Sequence, residues 1–176
     1  MIEQLHFVEA DLRALDGASG ELIACAVFED ELPMRGLAGL LDWRLAGKLS
    51  GLAKSKFLTG AADEVVLVPG RPHLPFEKIL ILGLGLRSRF GDSVVRRALA
   101  RLSSTLEGLQ VKRALVELPG RASGSVEPER AAELLLECAE PALADEMWTL
   151  VDEAGAEEAM AKKLLRRRDA RPRPGA

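Results

Sequence analysis

Apolar positions along the chain follow two patterns, short unbroken runs and a helical spacing of three or four. Runs bounded by turn residues predict strands at residues 5–8, 22–28, 65–68, 79–82, 114–118 and 147–151. The helical spacing predicts helices at residues 36–54 and 92–109, from Pro128 onward, and at 156–168. After the first two strands, strands and helices alternate. The pattern therefore predicts an α/β fold, with a mainly parallel sheet between helices on both faces.

Three segments carry expectations about local packing. Residues 65–68 and 79–82 are apolar without interruption, which is typical of strands covered on both faces, so we expect Ile81 to be fully buried. The polar turn at residues 16–20 predicts that the first two strands form a hairpin. Residues 36–54 keep leucines on one stripe throughout, which predicts one continuous helix.

Composition narrows the classes of protein that fit this pattern. Apolar residues make up 48% of the chain and charged residues 29%, as expected of a globular domain. The net charge of −3 is too small to predict a polyionic partner for the whole domain. No secretory signal opens the sequence and no apolar run approaches the ~20 residues that cross a bilayer. We therefore expect a cytoplasmic protein with no membrane contact.

The residues that usually carry catalysis or bind metals are sparse. His6 and His73 stand alone, without a second ligand at a spacing typical of zinc sites. Cys25 and Cys138 lie in apolar segments, where they are expected to be buried thiols rather than a disulfide framework. The residues therefore predict no catalytic site, no metal and no cofactor.

One glycine-rich loop is a candidate for ligand binding. Gly83 and Gly85 follow the most apolar strand and precede a helix, where backbone amides can meet a phosphate. A dinucleotide fingerprint needs a third glycine at position 88, which is Ser88. The alternative is that the glycines only turn the chain sharply at the end of the strand.

The end of the sequence is basic, after a long acidic stretch. We assign residues 1–168 to one domain and residues 169–176 to a proline-containing tail. A contact with nucleic acid is expected only through this basic region, whose residues are Lys162, Lys163, Arg166, Arg167, Arg168, Arg171 and Arg173. The alternative is that the cations near the helix end offset the helix dipole.

Several segments together resemble the amino-terminal domain of leucyl aminopeptidases, the M17 peptidase family. They are IACAVFED at residues 23–30, the leucine-rich helix, FLTG at 57–60 and LPFEKILILGLG at 74–85. The resemblance implies a macro-domain-like fold with a mixed six-stranded sheet. In that family the metal ligands and catalytic residues belong to a carboxy-terminal domain, so the resemblance assigns no catalytic residue here.

Three functions follow as expectations from this resemblance. The first is a free-standing, non-catalytic assembly or regulatory module that contacts proteins, by self-association or by binding a full-length aminopeptidase. The second is a domain that binds a small ligand of the ADP-ribose or nucleotide type at Gly83 and Gly85. The third is an aminopeptidase by similarity alone, a name that the resemblance suggests and an activity that we do not expect.

Overall fold

The computed structural model describes residues 6–139 and 147–169, with the side chains of residues 147 and 164–169 left out. Its strands are β1 (His6–Glu9), β2 (Leu22–Val27), β3 (Val65–Pro69), β4 (Lys78–Gly83), β5 (Arg113–Val116) and β6 (Met147–Asp152). Its α-helices are α1 (Leu12–Gly17), α2 (Gly36–Arg44), α3 (Lys48–Lys54), α4 (Asp92–Gly108), α5 (Pro128–Ala139) and α6 (Ala156–Asp169). A short 3₁₀ helix, Arg87–Arg89, precedes α4.

The six strands form one sheet in the order β1-β6-β5-β2-β4-β3. Every neighbouring pair is parallel except β3 and β4, which are antiparallel. Helices lie on both faces, because the side chains of each strand alternate between two cores. The mixed, mainly parallel sheet between helices confirms the fold class that the sequence predicts.

Each face of the sheet has its own apolar core. One core includes the stripe Val95, Leu99, Leu102 and Leu106 of α4, the inward face of α5, and Met160 of α6. The other core includes residues of α1, α2 and α3 together with the odd-numbered side chains of β2 and β4. Ile81 lies in this second core with no exposed surface, as expected for a central strand.

The predicted hairpin between the first two strands is wrong. The helix α1 separates β1 from β2, and β1 pairs with β6 whereas β2 pairs with β4 and β5. Asp11 starts this helix, since its Oδ1 accepts a hydrogen bond from the Ala14 amide at 2.9 Å. The polar turn at residues 16–20 therefore ends a helix instead of joining two paired strands.

The single helix predicted at residues 36–54 is divided in two. Ala46 and Gly47 adopt positive φ angles of 53° and 81°, which an α-helix does not allow. Asp42 then accepts hydrogen bonds from the amide and hydroxyl groups of Ser50, in the first turn of α3. Both halves still bury their leucines on one side, so the apolar stripe continues although the helix does not.

The strand β3 is also not a central strand. It lies at the edge of the sheet and is covered by a strand on one side only. Its burial alternates, with Val66 and Val68 in the core and Leu67 44% exposed. An unbroken apolar run did not distinguish this edge strand from the buried strand β4.

Candidate functional site

The carboxyl ends of β2 and β5 form the place where an α/β sheet of this kind usually binds ligands. These strands are neighbours, yet β2 leads through α2 and α3 toward β3 and β4, whereas β5 leads through α5 to β6 on the other side. Such a reversal of chain direction leaves a crevice between the two connections. We call this region the switch-point crevice, bounded by residues 28–37 and 117–126.

Glu117 occupies the centre of the switch-point crevice. It directly follows β5, and its amide donates a hydrogen bond to the carbonyl of Ala24 at 3.0 Å. Its Oε1 accepts a hydrogen bond of 2.8 Å from the amide of Leu37, in the first turn of α2. The side chain of Arg35, at the start of α2, makes no such cap, so Glu117 supplies the acceptor from 80 residues away. This amide position is where a helix attracts an anion.

The carboxyl group of Glu117 is buried, and this changes its protonation. Only 5% of the residue is exposed. Burial raises its pKa from 4.5 to about 8, with smaller upward effects from the charges of Asp152 and Glu153. The hydrogen bond from Leu37 and the charge of Arg121 oppose the rise. At neutral pH the crevice therefore holds a carboxyl group that retains its proton.

The chain packs closely beside Glu117 at Gly36 and in the following loop at Gly120. A methyl group added at Gly36 would lie 2.3 Å from the Cβ of Ala122 and 2.5 Å from Oε1 of Glu117. One added at Gly120 would lie 2.4 Å from the ring of Phe90, which itself stands edge-on to Phe28 with ring centroids 5.0 Å apart. Both glycines have positive φ angles, so larger side chains are disfavoured there by backbone as well as by space.

A buried ion pair holds the loop that follows β5. Nε and Nη2 of Arg121 donate to the two carboxylate oxygens of Asp152 at 2.8 and 2.9 Å, and Nη1 donates to the carbonyl of Val126 at 2.6 Å. The two side chains are 8% and 5% exposed. Asp152 ends β6, so the pair connects one wall of the crevice to the neighbouring strand.

The predicted ligand loop follows β4 and borders the wall of the switch-point crevice, since the carbonyl of Gly85 accepts a hydrogen bond from the amide of Glu29 at 3.0 Å. The amide groups of the loop already have partners. The amides of Gly83, Leu84 and Gly85 donate to the carbonyls of Glu64, Val27 and Gly60 at 2.8 to 2.9 Å. A methyl group at Gly83 would lie 2.0 Å from the carbonyl oxygen of Ala61. Ser88 is exposed in the 3₁₀ helix that follows this buried turn. The amides of Gly83 and Gly85 are therefore bonded within the chain, whereas Ser88 lies at the surface.

The basic residues near the end of the chain are only partly described. Lys162 is exposed, and Lys163 forms an ion pair with Glu133 of α5. The side chains of Arg166, Arg167 and Arg168, and the whole of Arg171 and Arg173, lie outside the described residues. Through this contact, one cation of the region joins α6 to α5.

The remaining chemistry-bearing residues are scattered. His6 and His73 are both exposed, Cys25 is buried and Cys138 is half-buried. Across residues 6–139 and 147–169, no three of the His, Cys, Asp and Glu side chains are grouped so that they could hold a metal ion. Within the same residues, no helix is both long enough and apolar enough to span a bilayer.

Comparison with known proteins places the chain in a family. The family described as "Cytosol aminopeptidase family, N-terminal domain" matches residues 25–143, which is most of the chain. The chain belongs to the cytosol aminopeptidase family. The probable cytosol aminopeptidase of Thermosynechococcus vestitus is 32% identical over 108 residues, covering 60% of this chain and 22% of that protein. The cytosol aminopeptidase of Pseudomonas aeruginosa is 29% identical over 100 residues, covering 57% and 20%.

Solved structures show the same fold at low identity. A mutant of tomato leucine aminopeptidase superimposes with a TM-score of 0.61 and 17% identity, over 92% of this chain and 35% of that one. A mutant of the Oceanobacillus iheyensis macrodomain gives 0.73 and 11%, covering 94% and 93%. The Trypanosoma brucei macrodomain, solved in complex with ADP-ribose, gives 0.69 and 15%, covering 90% and 68%. These matches confirm the macro-domain-like fold.

Within the cytosol aminopeptidase family, the match is confined to the amino-terminal domain. The chain spans about a fifth of the length of the curated relatives named above. The family and fold that the resemblance implied are therefore confirmed. Glu117, the central residue of the switch-point crevice, was missed by the sequence reasoning. Its only signal was one acid directly after the apolar run at residues 114–116.

Proposed function

We propose that this cytosol aminopeptidase domain is a non-catalytic module that acts through contacts with other protein chains. The partners are further copies of itself or a full-length cytosol aminopeptidase. The observation that carries the proposal is that the domain itself occupies the amide position at the start of α2, with the carboxyl group of Glu117 on the amide of Leu37.

This occupied amide favours protein contacts over a bound nucleotide. A phosphate at the start of α2 would have to displace Oε1 of Glu117 from the Leu37 amide and then find room beside Ala122. A displaced Glu117 would leave a buried carboxyl group without its hydrogen bond, which typically costs about 1–3 kcal/mol. A ligand therefore has to overcome this penalty before it gains any contact of its own.

The wall of the crevice formed by residues 28–37 also lines an open groove, which offers apolar side chains to a partner. A groove of about 340 Å³ lies between the loop after β2 and the end of α3, lined in part by Leu32, Met34 and Leu58. Leu32 is 65% exposed, and Phe57, beside the lining residues in sequence, is 61% exposed. Exposed leucine and phenylalanine side chains around a groove are typical of surfaces that contact other proteins.

The proposed partnership predicts that a full-length aminopeptidase copurifies with this chain. The tagged chain is immobilised and exposed to native lysate from its source organism, and eluates are identified by mass spectrometry and assayed with leucine anilide in the presence of Mn²⁺. We expect a cytosol aminopeptidase in the eluate, together with activity that the purified chain alone lacks. Resin carrying a chain with Leu32→Glu and Phe57→Glu is the matched control. The proposal fails if the chain neither retains an aminopeptidase nor self-associates.

Nucleotide binding is the alternative function, and the fold shared with a macrodomain solved in complex with ADP-ribose favours it. Isothermal calorimetry with ADP-ribose should give no binding heat for this chain, because Glu117 occupies the amide position at α2. The Oceanobacillus iheyensis macrodomain, which has the same fold, is titrated with ADP-ribose in parallel for comparison. Saturable binding, with a melting temperature that ADP-ribose raises in the wild type but not in Gly85→Ala, would support the alternative instead.

A further inference from the structure

The strand β3 presents a backbone edge that is available for pairing. The hydrogen bonds from Gly83 to Glu64 and from Gly70 to Glu77 fix which residues of β3 face β4. In an antiparallel ladder this direction alternates, so residues 64, 66, 68 and 70 bond toward β4. The amide and carbonyl groups of Val65 and Leu67, and the carbonyl of Pro69, therefore point away from the sheet.

One residue whose backbone groups point away from the sheet, Leu67, also has an exposed apolar side chain. Leu67 is 44% exposed and lies at the middle of β3. Edge strands that avoid pairing usually carry charges within the strand or a proline near its centre. Here residues 65–68 carry no charge, and the proline stands at the last position.

The edge is complementary to a copy of itself. In an antiparallel pair centred on Leu67, the two Leu67 residues exchange hydrogen bonds, and each Val65 amide meets the carbonyl of the other Pro69. This gives about four hydrogen bonds. Because Pro69 has no amide hydrogen, the carbonyl of each Val65 receives no hydrogen bond from the other copy. The same two-fold axis places the end carrying Asp63 beside the end carrying Arg71, so charges of opposite sign meet.

We propose that two copies of this domain associate through antiparallel pairing of their β3 edges, centred on Leu67. The inference rests on the proposed function as an assembly module and names the surface that performs it. A five-residue strand contributes less area than a standard stable interface, so the dimer is weak and depends on concentration. Main-chain hydrogen bonds supply the pairing, and the two Leu67 side chains exclude water from it.

Sedimentation equilibrium of the purified chain over a range of concentrations tests this pairing. The wild type should rise from the monomer mass toward twice that mass. Leu67→Lys, which adds like charges at the two-fold axis, should weaken dimerisation by about tenfold or more. Leu109→Lys is the matched control, because Leu109 is also exposed, at 38%, but follows α4. This control should dimerise as the wild type does.

A charge variant distinguishes a second copy from any other strand. Arg71→Glu sets a second acid beside Asp63 of the other copy and should weaken the dimer several-fold, because the half-exposed pair of Asp63 with Arg97 balances its charge only in part. Adding Asp63→Asn removes that repulsion and should restore most of the affinity. Asparagine suits this site, since Asp63 has a φ of 65°.

Either of two results would overturn β3 pairing. If Leu67→Lys dimerises as tightly as the wild type, the copies associate through another surface and the assembly function stands. If the wild type stays monomeric at every concentration, β3 pairing is wrong, and retention of a full-length aminopeptidase then decides the proposed function separately.

Discussion

Removing one partner of the buried Arg121–Asp152 pair should lower the free energy of unfolding by about 3–5 kcal/mol. The guanidinium and carboxylate make two hydrogen bonds to each other, and Asp152 Oδ1 also accepts the amide of Glu153 at 2.8 Å. Arg121→Met leaves that carboxylate buried without its cation. Asp152→Leu leaves the guanidinium with the carbonyl of Val126 as its remaining partner. Each single variant therefore leaves one buried charge without its partner of opposite sign.

Urea denaturation at neutral pH, followed by circular dichroism, measures the loss. The double variant Arg121→Met/Asp152→Leu should lose clearly less than the sum of the single variants, because it leaves no buried charge. Arg97→Met is the matched control: its pair with Asp63 is about half exposed and should contribute less than about 1 kcal/mol. Single variants within that same small range would show that water solvates the Arg121–Asp152 pair.

Most of the longer elements could be predicted from local pattern, but the short helix α1, the break between α2 and α3 and the strand partners could not. The apolar stripe of α4 and the unbroken apolar run of β4 are patterns of neighbouring residues, and both elements lie where they were expected. The pairing of β1 with β6 joins segments far apart in the chain, so a turn composition at residues 16–20 suggested the wrong neighbour. The break between α2 and α3 depends on two positive φ angles that leucine spacing does not reveal.

The same distinction explains the site. Gly83 and Gly85 form a local motif that resembles a phosphate loop, yet their conformation serves the close approach of residues 60–62. Glu117 belongs to no motif, because its partner Leu37 lies 80 residues earlier. Its environment arises only when β2 and β5 become neighbours in the sheet. A site made of such distant contacts leaves only a weak signal in one sequence, here the acid directly after residues 114–116.

The titration of Glu117 should make the domain less stable as the pH rises from 5 to 8. Its pKa in the folded state is raised from 4.5 to about 8 by burial. Between these values the folded state keeps a proton that the unfolded state releases, so unfolding is favoured as the pH rises. Each pH unit between these two pKa values lowers the free energy of unfolding by up to about 1.4 kcal/mol, and the whole interval lowers it by several kcal/mol. The stabilising contribution is fully present below the lower value and lost above the upper one.

Replacing Glu117 by Gln isolates this effect. The amide oxygen of Gln can still accept the Leu37 hydrogen bond, but the side chain no longer titrates. We expect Glu117→Gln to match the wild type within about 1 kcal/mol at pH 5 and to exceed its stability by several kcal/mol at pH 8.5. Urea denaturation at half-unit pH intervals gives both profiles. Glu107→Gln, which removes an exposed carboxyl group of α4, should follow the wild-type profile throughout.

If wild type and Glu117→Gln instead keep a constant difference from pH 5 to 8.5, Glu117 is already ionised at pH 5. In that case the group on the amide of α2 is a carboxylate stabilised by the helix, and the domain carries its own anion in the switch-point crevice.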